Sequence, residues 1–124
     1  MVATPVDMEK LLDIAMNDEV LLKELINLFM ADAPERLTLL RRAIAEREPE
    51  EVMVISHGLR GASRNMTAEK LGELLNHLEE LGGAGRIDGA EEIMGEVEKE
   101  FARLQNYFAT VAHNIPAALH STKQ

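Results

Sequence analysis

The stretch DEVLLKELINLFMADAPERLTLLRRAIAER, residues 18–47, decides the fold. Within it Leu22, Ile26, Phe29, Ala33, Leu37, Leu40 and Ile44 recur every three or four positions, the spacing that lines one face of an α-helix. The stripe runs straight through Pro34. A proline inside a helix removes one backbone hydrogen bond and usually kinks or ends it, but an unbroken stripe means that both halves bury the same face. The reading is one kinked helix over residues 18–47, capped by Asn17 or Asp18.

Working outward, Asp7 can cap a short helix to about Met16, with Met8, Leu11, Leu12 and Ala15 along one side. Downstream, Pro49 suits the first turn of a third helix, and Glu50 and Glu51 sit at its positive end. That helix is expected to reach about Arg64. Thr67 is expected to cap a fourth helix carrying Leu71, Leu74, Leu75, Leu78 and Leu81, which stops at Gly82, Gly83 and Gly85. Asp88 with Glu91 resembles a capping box that opens a last helix, with Ile93, Val97, Phe101, Leu104, Phe108 and Val111 inward. Short connections make neighbouring helices antiparallel. The expected fold is therefore all-α: an antiparallel up-and-down four-helix bundle with a short extra N-terminal helix. It forms a single domain over residues 1–124, the bundle at about 7–112 and a polar tail, containing Pro116, at about 113–124.

Composition agrees. At 124 residues, 46% hydrophobic and 28% charged, the chain has matter for one core and a soluble surface. A formal charge of -9 repels phosphate backbones and anionic lipid, so neither nucleic acid nor membrane is expected as a partner. The absence of cysteine excludes disulfides, thiol nucleophiles and thiolate metal sites. No run approaches the roughly 18 apolar residues of a membrane span, and the expected location is cytoplasmic.

The third helix carries the chemistry. At about 100° per residue, Val52, Ile55, Leu59, Ala62 and Met66 fall within an arc of roughly 80°, the expected core face. His57 projects from the opposite side, an outward imidazole in a helix interior. Met53 and Val54 lie one turn before it, Arg60 and Gly61 one turn after, and Arg64 two turns after. Interior glycine costs about 1 kcal/mol relative to alanine, yet Gly58 and Gly61 both stand beside this histidine. Gly61 clears the patch through which a partner would reach the ring; Gly58 reads equally well as a packing or an access position. Imidazole in water is mostly neutral at pH 7, and the neutral ring is a nucleophile. A guanidinium at Arg60 could hold phosphoryl oxygens. Residues 57–70 hold Arg60, Arg64 and Lys70 against Glu69 alone, a local basic face on an acidic body.

The run His57-Gly58-Leu59-Arg60-Gly61-Ala62-Ser63-Arg64-Asn65-Met66-Thr67-Ala68, followed by Leu71 and Leu78-Glu79, resembles the signature of histidine-containing phosphotransfer (HPt) domains. Upstream Phe29-Met30 and Ala33-Pro34-Glu35 extend the likeness to roughly residues 7–112. Arg60 stands where the family more often has lysine, Ala62 replaces a serine, and Thr67 replaces a frequent glycine.

The resemblance implies a phosphorelay carrier in two-component signalling. His57 would be the phosphoacceptor, through Nε2, with Arg60 on the phosphoryl group and Gly61 giving access. Met53, Val54, Gly58 and Arg64 would meet the partner. The phosphoryl group would come from the aspartyl phosphate of a response-regulator receiver domain, or of a hybrid histidine kinase, and pass to another receiver. Mg2+ would sit on the receiver, and this chain would bind no cofactor and no metal.

Other readings are weaker. An autonomous ATP-dependent histidine kinase needs a nucleotide-binding domain for which this length has no room. Gly83 to Gly89 fails as a phosphate loop because Asp88 puts a carboxylate where phosphate would bind, after a helix instead of a strand. His57, His77, His113 and His120 lack metal-site spacing. Glu79-Glu80 and Glu91-Glu92 read as helix surface. The alternative from another class is a helical adaptor or dimerisation bundle that binds a receiver or kinase without phosphotransfer.

Overall fold

The computed structural model describes residues 4–111 and contains five helices and no strand among them. They are α1 (Met8–Ile14), α2 (Glu19–Ala45), α3 (Pro49–Asn65), α4 (Glu69–Gly83) and α5 (Ala90–Val111). The expected tail, with His113, Pro116 and His120, lies outside the described residues.

Local chemistry explains most boundaries. The Asp7 carboxylate accepts from Lys10 N at 3.1 Å and opens α1. Asp18 does the same for α2 through Val20 N and Leu21 N. As expected from its stripe, α2 continues through Pro34 and buries Leu22, Ile26, Phe29, Ala33, Leu37, Leu40 and Ile44. Pro49 occupies the first turn of α3, where its missing N–H breaks no helical bond.

Two expected caps are corrected. Thr67 does not cap α4, whose N-cap is Ala68. It adopts a left-handed φ of 60°, and its hydroxyl accepts from Asp7 N at 2.8 Å while donating to Asp7 O at 3.1 Å. That clasp fastens the start of α1 to the α3–α4 turn. Asp88 does not act through a capping box either: its carboxylate meets Arg47 at 3.3 Å, and the chain enters α5 through Gly89 at φ 91°. Glycine adopts this backbone without a Cβ penalty.

Consecutive long helices pack on one another, α2 with α3, α3 with α4 and α4 with α5, and α5 returns to α2. On that return the Arg41 guanidinium pairs with Glu98, and the rings of Phe29 and Phe101 meet at 6.2 Å. The apolar core lies between the helices, with Leu40, Leu59, Leu75, Leu78, Met94 and Leu104 fully enclosed.

The tightest crossing joins α3 and α4. A Cβ on Gly82 would lie 2.5 Å from Pro49 O and 2.8 Å from Met53 N, and one on Gly72 would lie 3.6 Å from Arg64 Cγ. These pairs also show that the two helices run antiparallel. The bare backbone at Gly82 lets them approach more closely than any side chain would allow. Among the described residues no helix is long and apolar enough to cross a membrane.

Candidate functional site

Packing against two neighbours sets the orientation of α3. Its buried positions are Val52, Ser56, Leu59 and Ser63, whereas Ile55 and Ala62, expected in the core, are half-buried. At about 100° per residue, the inward face is rotated by roughly 50° from the arc of apolar residues. Ser56 and Ser63 are small enough for a close crossing, and Ser63 satisfies its hydroxyl on Leu59 O at 2.8 Å. The rotation carries Met53 and Arg60 onto the α4 flank and leaves His57 at the rim of that contact.

His57 points outward, its side chain 67% exposed. It is nevertheless held. Nδ1 lies 2.8 Å from Glu79 Oε2 on α4, and the other Glu79 oxygen accepts from Arg60 Nε at 2.6 Å. An ionised carboxylate only accepts, so Nδ1 carries the proton. Arg60 Nη2, at 3.3 Å from Nδ1, is therefore a close neighbour of that nitrogen and not its donor. In the neutral ring Nε2 would then hold the lone pair, and it has no partner among the described residues.

Partial burial of Glu79 works against its charged form. The hydrogen bonds from His57 and Arg60, reinforced by their charges, outweigh burial and hold its carboxyl below the ordinary range. The same carboxylate fixes the tautomer and rotation of the imidazole and keeps the guanidinium beside the ring. Arg60 and Glu79 are each only 21% exposed, where an ion pair is less screened than at an open surface.

Glu79, quoted in the family likeness but read as helix surface, is the partner of His57 that the sequence did not reveal. It stands 22 positions from His57 in the chain, and only the register of α4 on α3 brings the two together. Of the basic face expected over residues 57–70, Arg60 is ion-paired with Glu79 across this contact, and Lys70 Nζ lies 3.9 Å from the buried Glu100. Arg64 is exposed and shares a shallow surface depression with Glu69 and Glu73.

The remaining candidates separate by flank. Met53 is half-buried on the α4 side, its Sδ 3.4 Å from where a Gly83 Cβ would stand. Val54 is 57% exposed and is the free apolar side chain next to the ring. Gly61 is exposed, and a Cβ there would meet nothing within 4 Å, so no internal packing requires glycine at this position. Gly58 faces α2, where its Cβ would come within 3.1 Å of Arg36 Nη1. The result is an oriented nucleophilic nitrogen with a cation at its side and open space one turn along the helix.

Comparison with known proteins agrees with this geometry. Residues 24–107 match the Hpt domain family. The fold superposes with a TM-score of 0.82 on the crystal structure of histidine-containing phosphotransfer protein B (HptB) from Pseudomonas aeruginosa PAO1. That pair shares 27% identity, covering 88% of this chain and 95% of the other. No curated protein matches the chain in sequence. The family match takes in most of the chain, with His57, Arg60, Gly61 and Glu79 all inside it, and the chain belongs to the Hpt domain family.

Proposed function

We propose that the protein is a cytoplasmic phosphorelay carrier in which His57 Nε2 accepts a phosphoryl group from a receiver-domain aspartyl phosphate and returns it to another receiver. The observation that carries this reading is the Nδ1 contact with Glu79 at 2.8 Å, which leaves the outward nitrogen as the nucleophile. We read the four long helices as an up-and-down bundle whose rigidity keeps α3 and α4 in register.

The Nε2 lone pair attacks phosphorus, the N–P bond forms, and the P–O bond to the aspartyl carboxylate breaks with the electron pair leaving on that carboxylate. The ring, already protonated at Nδ1, becomes cationic as this happens. Glu79 then faces a developing positive charge across a hydrogen bond, which strengthens in the low-dielectric rim of the contact. Arg60 supplies the opposite charge to the phosphoryl oxygens. Mg2+ and the acyl phosphate belong to the receiver, so this chain contributes positioning and electrostatics.

The test is transfer from a panel of radiolabelled, phosphorylated receivers. Labelling is expected to be acid-labile and alkali-stable, as a phosphorus–nitrogen bond is, and to chase onto a second receiver. Failure of every receiver to label a folded protein would overturn the reading in favour of the adaptor.

Glu79→Gln keeps an acceptor oxygen and removes the charge. It is expected to slow transfer about tenfold, equivalent to ~1.4 kcal/mol at the transition state, by rapid-quench measurement of single-turnover labelling. It also changes acid stability. Because folding lowers the Glu79 carboxyl, its stabilisation is complete above the unfolded carboxyl value of about 4.3 and is lost as pH falls through the lowered folded value. Acid unfolding of Glu79→Gln should therefore be less steep than that of the wild type in that window.

Gly61 separates stability from access. Gly61→Ala is expected to raise stability by up to about 1 kcal/mol, the helix-propensity difference, because the added methyl meets nothing within 4 Å. Gly61→Phe should remain folded by circular dichroism yet lose most receiver-dependent labelling, because the ring would stand where the partner approaches. Full transfer by Gly61→Phe would remove the access role.

A further inference from the structure

The α2 side of His57 holds a second guanidinium that the reaction above leaves unused. Arg36 Nη1 lies 3.1 Å from the position a Gly58 Cβ would occupy, so the glycine next to the histidine leaves room for this side chain to lie against α3. Arg36 Nε is paired with Asp32 at 2.9 Å, one turn earlier on α2, and the two side chains are 44% and 50% exposed. An exposed pair of this kind is worth only about 0–1 kcal/mol and exchanges readily for another anion. Arg60, in contrast, is largely enclosed against Glu79. One turn along each helix from the Arg36–Gly58 contact stand Leu39 and Val54, 44% and 57% exposed. The guanidinium thus sits at the edge of an apolar shoulder beside the ring, and apolar surroundings strengthen the attraction it would feel for an opposite charge.

We propose that Arg36 is a partner-recognition residue, which releases Asp32 and pairs with a surface carboxylate of the docked receiver, and that Gly58 is bare to hold it there. The inference rests on the phosphotransfer reading and names the cation that selects the receiver. It acts on docking and not on the phosphoryl group, since Arg36 lies across α3 from the Glu79–Arg60 pair that grips the ring.

The experiment measures His57 labelling against receiver concentration at two ionic strengths for wild type, Arg36→Gln, Arg36→Lys and Gly58→Ala, with folding checked by thermal unfolding. Arg36→Gln is expected to raise the half-saturating receiver concentration about five- to tenfold and to flatten its salt dependence, with the rate at saturation unchanged. Arg36→Lys should recover part of the loss, and Gly58→Ala should reproduce part of it by displacing the guanidinium. An unchanged half-saturation in Arg36→Gln would overturn the inference while leaving the carrier reading intact. A fall in the saturated rate alone would overturn it too, placing Arg36 on the transferred group. Absence of wild-type labelling would remove the carrier reading and this inference together.

Discussion

Replacing His57 by glutamine is expected to abolish acid-labile labelling from every receiver while the protein stays folded. Glutamine has no nucleophilic nitrogen, so the loss is complete and not graded. Its amide can still donate toward Glu79, and the position is an exposed helix face, where substitutions usually change stability by no more than about 0.5 kcal/mol. Circular dichroism and the thermal midpoint should therefore match the wild type. Labelling that persisted in His57→Gln would move the phosphoacceptor to another histidine, with the exposed His77 of α4 the first to examine.

The second large effect is structural. Gly82→Ala places a Cβ 2.5 Å from Pro49 O and 2.8 Å from Met53 N, both backbone atoms that no rotamer change can move. Helices α3 and α4 must separate, and overpacking of this kind costs about 1–3 kcal/mol, occasionally more. A loss at the upper end of that range is expected by urea unfolding. Glu79 lies three residues before Gly82 on the same helix, so the displacement should also loosen its contact with His57 and slow transfer in the protein that remains folded. Gly95→Ala is the control: its Cβ meets nothing within 4 Å, and replacing an interior helical glycine there should stabilise by up to about 1 kcal/mol. Equal stability of the two variants would show that the α3–α4 crossing tolerates a side chain.

These effects mark what was legible in the chain. Periodicity along a single helix was: the stripe of α2 survived Pro34, Asp7 caps as expected, Asp18 is the one of the two candidates that caps α2, and His57 and Gly61 face outward. Relations between helices were not. Apolar counting assigned the inward face of α3 to Ile55 and Ala62, because serine counts as polar, whereas Ser56 and Ser63 are buried where small volume matters more. Glu79 looked like surface beside Glu80, since the family likeness included it without a role and helix periodicity does not single it out; the register set by Gly72 and Gly82 against α3 does. Thr67 resembled a cap in type and position, but its partner is Asp7, 60 residues away. The equal readings of Gly58 resolve toward contact with Arg36, which again required the neighbouring helix.

One feature of the ring's surroundings governs how traffic through it must run. Glu79 holds Nδ1 of His57 on the α4 side, so on the carrier reading proposed above every visitor must meet the ring at the same outward nitrogen. A proposed donor and acceptor would then exclude one another. On that reading turnover is expected to be of the ping-pong type, with an unloaded donor left in excess competing with its own successor.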